Sequence, residues 1–382
     1  MPFSGSTEKA VKVASIQPAR PAFERPIFIA TDWFDDIARM VAKFAGEHMV
    51  TLVVDETVLL RYPERVQQLS DILPRSCMLP VVAGEHAKTL EVFGRLQEFM
   101  AQHEVHRDDI VLSIGGGTIG DVTGFCAATY AHGMQWLNIP TTLAAQVDCS
   151  YGGYTALNIG YLKNYSGAFY WPDAVFVDTS FLATLPAHEF AGAISEMARL
   201  AMLTDDPLYR RLCAACAPGV GAEGIKPQLL QFITDTIKAK ACVTTEDPYL
   251  HHFRVALRLG RTTSQALETA SKLKLHHGAA VAIGLGFEAF LAHKLGLLNA
   301  ADRKALVDVL ENCGLPTVLP AELHDRMILD SMRMEKHNQG RDISLVLPYA
   351  PGKTLADWPK PHVIMEPDKL WSHLTAYRLE RG

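Results

Sequence analysis

The stretch DDIVLSIGGGTIGD, residues 108–121, limits the fold more than any other part of this chain. Its β-branched and apolar residues make a run of the right length for one buried strand, and the run ends directly in glycines. Gly115, Gly117 and Gly120 fit the pattern G-x-G-x-x-G at that strand end. Glycines there let backbone approach a ligand closely, and the helix that follows presents unpaired N–H groups to a pyrophosphate. A dinucleotide-binding turn is therefore expected. The usual wiring also places an acid about twenty residues onward to bind the ribose. The corresponding stretch here, MQWLNIPTT, has none, and the nearest candidate is Asp55 at the end of an earlier strand.

Around this turn the chain alternates between two periodicities. PIFIATD, HMVTLVVDET and MLPVVAG read as strands, whereas WFDDIARMVAKFAG and TLEVFGRLQEFMAQHE have helical spacing. Such alternation predicts a parallel sheet covered on both faces. After about residue 185 the pattern changes. AHEFAGAISEMARLAML, KPQLLQFITDTIKAKACV, TTSQALETASKL and AAVAIGLGFEAFLAHKLG are helical, and ISLVLP (343–348) is the one convincing late strand. The expected architecture is α/β: an extended lead-in over 1–25, a dinucleotide-binding α/β domain over 26–185, and a mostly helical domain over 186–382. A ligand would lie between the two, beyond the carboxyl ends of the strands.

Composition narrows the function classes. At 382 residues the chain exceeds what one core usually fills, which agrees with two domains. A net charge of −6 gives no electrostatic footprint for nucleic acid. The longest apolar stretch, around 279–292, is interrupted by Glu288 and is too short to span a bilayer. The start, MPFSGSTEKAVKV, lacks the apolar segment of a secretory signal, and seven scattered cysteines suit a reducing compartment. A cytoplasmic location is expected. Cys213 and Cys216 form a lone CxxC, better read as helix packing than as a redox or metal motif. His276 and His277, just before a glycine and an apolar run, read either as metal ligands or as a cap and a packing residue. Neighbours on a helix point to different faces, so at most one of them faces a given site.

Between residues 115 and 186 the sequence runs GGGTIGDVTGFCAATYAHG, then IPTTLAAQVDCSYGGYTALNIGYLKNYSGAFYWP, then DTSFLATLP. Together with GEHAKTLE, SEMAR, GRTTSQALE and LHHGAAVAIG, in order along the chain, this resembles the 3-dehydroquinate synthase (sugar phosphate cyclase) family. The resemblance covers roughly residues 30–350. It implies an NAD-binding α/β domain with a helical domain behind it, usually in a homodimer. It also implies a chemistry. Bound NAD oxidises a secondary alcohol of a sugar phosphate, phosphate leaves by β-elimination, the hydride returns, and an intramolecular aldol step closes a carbocycle. A divalent metal, zinc or cobalt, polarises the oxidised oxygen in such enzymes.

Carried over residue by residue, the resemblance divides in two. The positions matching the cofactor site are nearly all filled: Asp55, Glu85, Lys88, Gly115, Gly116, Gly117, Asp121, Thr141, Thr142, Lys163 and Thr184. The metal set is incomplete. Glu196 and His277 match two ligands, but the third position is Arg261, because GRTTSQA stands where the family reads G-H-T-x-x-H-A. A guanidinium stays protonated and has no lone pair to offer a metal. The second histidine of that motif is Gln265, Tyr154 replaces a lysine, His132 replaces an arginine, Arg199 a lysine and Arg258 an asparagine. Asp148, Asn164, Lys240, Arg254 and Lys336 are retained.

The resemblance thus implies catalytic roles for His277, Lys163, Asn164, Asp148, Glu196, Arg199 and Lys240. Arg254, Arg258, Lys336, Arg261, Gln265, Tyr154 and His132 are the implied substrate contacts. Three readings follow: a cyclase acting on a C7 sugar phosphate with a metal-poor site, an NAD-dependent oxidoreductase, epimerase or dehydratase on the same fold, or a non-catalytic NAD-binding homologue. In the first two the partner is a small anionic polyol or sugar phosphate, with neither nucleic acid nor membrane.

Overall fold

The computed structural model describes residues 24–82, 84–204, 206–249, 253–338, 340–352 and 363–381. Most of the lead-in expected over 1–25 lies outside them. The strands are β1 (Ile27–Ala30), β2 (Val50–Asp55), β3 (Ser76–Val81), β4 (Ile110–Gly115), β5 (Gln135–Pro140), β6 (Tyr154–Ile159), β7 (Leu162–Phe169), β8 (Ala174–Asp178), β9 (Ile343–Leu345) and β10 (Val363–Met365). Six of them form one parallel sheet in the order β1-β8-β5-β4-β2-β3. The α/β class expected from the alternation is what the chain adopts.

The sheet is covered on both faces, and the strand sequences show why. Along β2, Leu52 and Val54 enter one apolar cluster with the helix Phe34–Ala45, while Val53 enters a second with the helix Leu90–Gln102. Successive strand residues point to opposite faces, so a strand buried on both sides must be apolar throughout. From β4 the chain crosses to β5 on one side, whereas β2 and β3 lie on the other. That change of direction opens a crevice beyond the carboxyl ends of β2 and β4.

Past β8 the described chain is almost all helix. The helix His277–Lys294 is buried over nearly its whole length and packs against the helices Ala187–Thr204, Arg261–Ala270 and Ala300–Asn312. It crosses Ala187–Thr204 at glycine on both sides. A Cβ added to Gly278 would stand 2.3 Å from the Cα of Gly192. Only two bare backbones fit there. ISLVLP forms a strand over Ile343–Leu345, paired antiparallel with β10. The antiparallel hairpin β6–β7 went unread in the sequence, yet it carries polar residues from the sheet toward the helices. None of the seven cysteines is in a disulfide; Cys213 lies on the helix Asp206–Ala215, and Cys216 packs in the helical core as expected. Among the described residues no helix is long and apolar enough to cross a membrane.

Candidate active site

The glycine turn sits at the crevice. Gly115 ends β4 and is packed too closely to carry a side chain, and Gly116, the N-cap residue of the helix Gly117–Thr129, packs tightly against Thr142. A Cβ on Gly115 would be 2.7 Å from Ile119 Cγ1 and 3.0 Å from Asp55 Cβ; one on Gly117 would be 3.1 Å from Cys149 Sγ. The turn therefore shows bare backbone and helix N–H groups to the crevice, the surface a pyrophosphate requires. Asp55 ends the adjacent strand, where it accepts from Thr57 N–H at 2.8 Å, and burial pushes its carboxyl pKa up. Thr141 N–H donates to Gly115 O at 3.0 Å, and Thr142 caps the helix Leu143–Val147. Thr184 follows β8 and meets the Tyr62 hydroxyl at 2.9 Å. These residues, with Glu85 and Lys88 after β3, all follow the carboxyl ends of parallel strands.

Beside the turn lies a continuous network of buried charge. Lys88 Nζ donates to Asp121 Oδ2 at 2.5 Å and to the Asn164 side chain, and lies 3.8 Å from Glu85. Burial pulls the Lys88 pKa down, but Asp121 and Glu85 outweigh it and hold the ammonium above its ordinary value. Lys163 Nζ reaches Glu268 at 2.6 Å and Glu85 at 3.4 Å. Asn164 adopts a left-handed backbone (φ 54°) at the start of β7, and its carbonyl accepts from Lys336 Nζ. The hairpin thus delivers Lys163 and Asn164 to residues of the helical part.

Deeper in, Asp148 is surrounded by cations. Its carboxylate accepts from Lys240 Nζ at 2.6 Å, Arg199 Nη2 at 3.0 Å and Arg261 Nη2 at 2.6 Å. Burial alone would raise its pKa; Lys240 and Arg199 reverse this and hold it down to about 2. Glu196 accepts from Arg199 Nε at 2.7 Å, stands 2.9 Å from Arg261 Nη2, and meets His277 Nε2 at 3.0 Å. The other ring nitrogen, Nδ1, is 3.0 Å from Glu268 Oε1. Burial and Lys163 push the imidazole pKa down, but Glu268 and Glu196 prevail and raise it. The helix that carries Arg261 begins at Gly260, whose N–H donates to Glu288 at 2.5 Å, with Thr263 Oγ1 donating to the same carboxyl at 2.8 Å. Burial pushes the Glu288 pKa up to about 8.

A divalent metal does not fit this donor set. The two groups that could ligate it, Glu196 Oε1 and His277 Nε2, are both bridged by Arg261, whose Nη1 lies 3.2 Å from the imidazole. The third ligand position is that same guanidinium, a fixed charge that would repel a dication. A site of two ligands is weak to begin with.

Residues 78–192 match the family described as 3-dehydroquinate synthase N-terminal, and residues 193–338 match 3-dehydroquinate synthase C-terminal. A 3-dehydroquinate synthase of Legionella pneumophila is 33% identical over 350 residues, covering 90% of this chain and 92% of that protein. One from Xylella fastidiosa is 35% identical over 333 residues, covering 84% and 88%. The chain belongs to the 3-dehydroquinate synthase family. Among solved structures, a 2-epi-5-epi-valiolone synthase from Streptomyces hygroscopicus with bound NAD+ and Zn2+ superposes with a TM-score of 0.82 at 23% identity, covering 96% of this chain and 99% of that one. A 2-deoxy-scyllo-inosose synthase complexed with carbaglucose-6-phosphate, NAD+ and Co2+ gives 0.78 at 20%, covering 93% and 97%. At these identities the likeness concerns the fold.

Within this 3-dehydroquinate synthase fold, the site residues expected from the sequence fall into three groups. Asp148, Lys163, Asn164, Glu196, Arg199, Lys240, Arg261 and His277 are brought together. Gln265 and Lys336 line a narrow cleft beside Lys163, and the buried Arg258 reaches two of its lining residues, Thr262 at 3.3 Å and Glu335 at 3.6 Å. Two expected substrate contacts are placed otherwise. Arg254 gives its terminal amino groups to the carbonyls of Pro248 and Gly152 and lies under the ring of Tyr154, so it braces backbone. His132 is exposed just before β5, at the amino ends of the strands and so at the opposite end of the sheet from the glycine turn, away from the cluster. Two members of the network were missed in the sequence. Glu268 links Lys163 to His277, and Asn158 donates to Glu85 at 2.8 Å. Glu268 lies seven residues after Arg261 on one helix, a spacing that puts both on one face.

Proposed function

We propose that the chain is an NAD-dependent sugar phosphate cyclase acting on a C7 sugar or sugar acid phosphate, with Arg261 standing where its relatives place a metal. The observation that carries this reading is the Arg261 guanidinium, within 3.2 Å of Asp148, Glu196 and His277 at the heart of the buried cluster. The bare glycine turn, Asp55 and the helix N-terminus form the dinucleotide cradle, and bound NAD supplies hydride exchange with the substrate. Arg261 supplies a fixed positive charge beside an oxygen that gains negative charge, in a site where water does not screen it. His277, ordered by carboxylates on both ring nitrogens, is the group that moves a proton near neutral pH. Glu268 Oε2 is buried with no hydrogen-bond partner among the described residues, and a substrate hydroxyl would satisfy it. Lys336 and Arg258 stand at the cleft as phosphate contacts. In this reading the two domains meet near residue 185, and the enzyme works in the cytoplasm as a homodimer.

The test is phosphate release from a set of heptulose phosphates in the presence of NAD, after exhaustive treatment with a chelator. Release is expected to persist, and His277→Ala should abolish it while NAD affinity stays within about threefold. Loss of release on chelation, with recovery on adding zinc, would overturn the role given to Arg261. An NAD-dependent redox change without phosphate release would favour the oxidoreductase reading.

A further inference from the structure

A second group of metal-ligating side chains lies outside the buried cluster. The helices Ala187–Thr204 and His277–Lys294 begin side by side, because Gly192 packs directly on Gly278 and the Ser195 hydroxyl donates to the Gly278 carbonyl at 3.2 Å. This contact brings His188 and Glu189, in the first turn of one helix, against His276, the N-cap residue of the other. Glu189 Oε1 lies 3.8 Å from His188 Nε2 and 3.6 Å from His276 Nδ1, and the two imidazoles meet edge to face with centroids 4.8 Å apart. One ligand atom from each residue falls within 4.8 Å of the other two.

We propose that His188, Glu189 and His276 form a binding site for a transition-metal dication of the zinc, cobalt or nickel class. Ligand atoms around a tetrahedral ion with bonds of about 2.0–2.1 Å stand roughly 3.3 Å apart. The two separations to Glu189, 3.8 and 3.6 Å, are close to this, and the span of up to 4.8 Å among the three ligand atoms closes by rotation of exposed side chains. Two imidazoles among three donors select borderline metals over magnesium or calcium, which take oxygen. One carboxylate balances half the charge of the ion, and the fourth position stays open for water or an anionic oxygen. Nothing here fills the place of a ligand, unlike the inner pair bridged by Arg261. The same cleft is lined by Glu196 and His277 deeper down, so an ion held by these three residues stands at its mouth.

The proposal separates two sites that bulk metal analysis would merge. Zinc found at one ion per chain would read as the inner site of the family, although these three residues held it. Cobalt(II) titration of the intact protein, followed by its visible absorption, tells them apart. One ion per chain with the strong bands of a tetrahedral complex is expected. His188→Ala and His276→Ala should each weaken binding by about tenfold or more, the scale on which supporting groups affect metal affinity. Both side chains are exposed, so the unfolding temperature without metal should stay at the wild-type value and confirm an intact fold. Absence of cobalt binding, or binding that both variants retain, would overturn the proposal. Because metal binding is read directly, the outcome is independent of the assigned reaction.

Discussion

At the scale of single residues, Arg261 governs what the site can hold. Its guanidinium neutralises Asp148 and Glu196, work that a dication would do in a three-ligand site. Arg261→His restores the family's third imidazole sixteen residues before His277. In a His188→Ala background this variant is expected to gain stoichiometric zinc held against dialysis, measured by elemental analysis. A variant that stays metal-free would show that the backbone at position 261 cannot present a ligand. Replacing the cation also leaves two buried carboxylates short of a partner, so the metal-free variant should lose about 3 kcal/mol in denaturant titration. Arg261 was legible because it breaks a motif, whereas Glu268 was not. An acid on an amphipathic helix looks the same in sequence whether it meets water or Lys163. Only the hairpin packed against that helix makes it buried.

At the scale of elements, the helix pair joined at Gly192 and Gly278 positions both His277 and Glu196. Gly278→Ala tests this with a change of sign. Helix propensity alone favours alanine by about 1 kcal/mol. The added Cβ would meet backbone at 2.3 Å, so we expect a loss of about 3 kcal/mol in denaturant titration, with turnover falling alongside. Equal or greater stability would show that the helices are held elsewhere. The strands and long helices were readable because each is buried along a simple period. The hairpin β6–β7 was not, for a reason rooted in its use. Asn158, Lys163 and Asn164 serve the polar network, and they interrupt the alternation by which a strand is recognised. The departure of Arg254 has a similar origin, since its grip on two carbonyls depends on a loop conformation that the sequence does not announce.

At the scale of the whole molecule, the buried carboxylates tie stability to acidity. Asp148 and Glu268 are each held down to about 2, below their ordinary values of 3.8 and 4.5. Groups depressed in the folded state stabilise it above their unfolded pKa and lose that contribution as pH falls through the folded one. The contribution of these two carboxylates should therefore be lost, and the thermal midpoint fall, between about pH 4.5 and 2; a midpoint unchanged over that window would count against the pairing. His277 acts in the opposite sense. Its raised pKa stabilises the fold below the ordinary value of 6.5, and the contribution fades as pH rises through the folded value. The mutual saturation of the cluster reaches further than stability. Lys88, Lys163, Arg199, Lys240 and Arg261 face Glu85, Asp121, Asp148, Glu196 and Glu268, five cations against five anions. These ten groups balance until His277 takes its proton, so the network by itself offers no surplus charge to an entering anion. Surplus positive charge beside the network comes instead from Lys336 and Arg258 at the cleft, and from the imidazole once it is protonated.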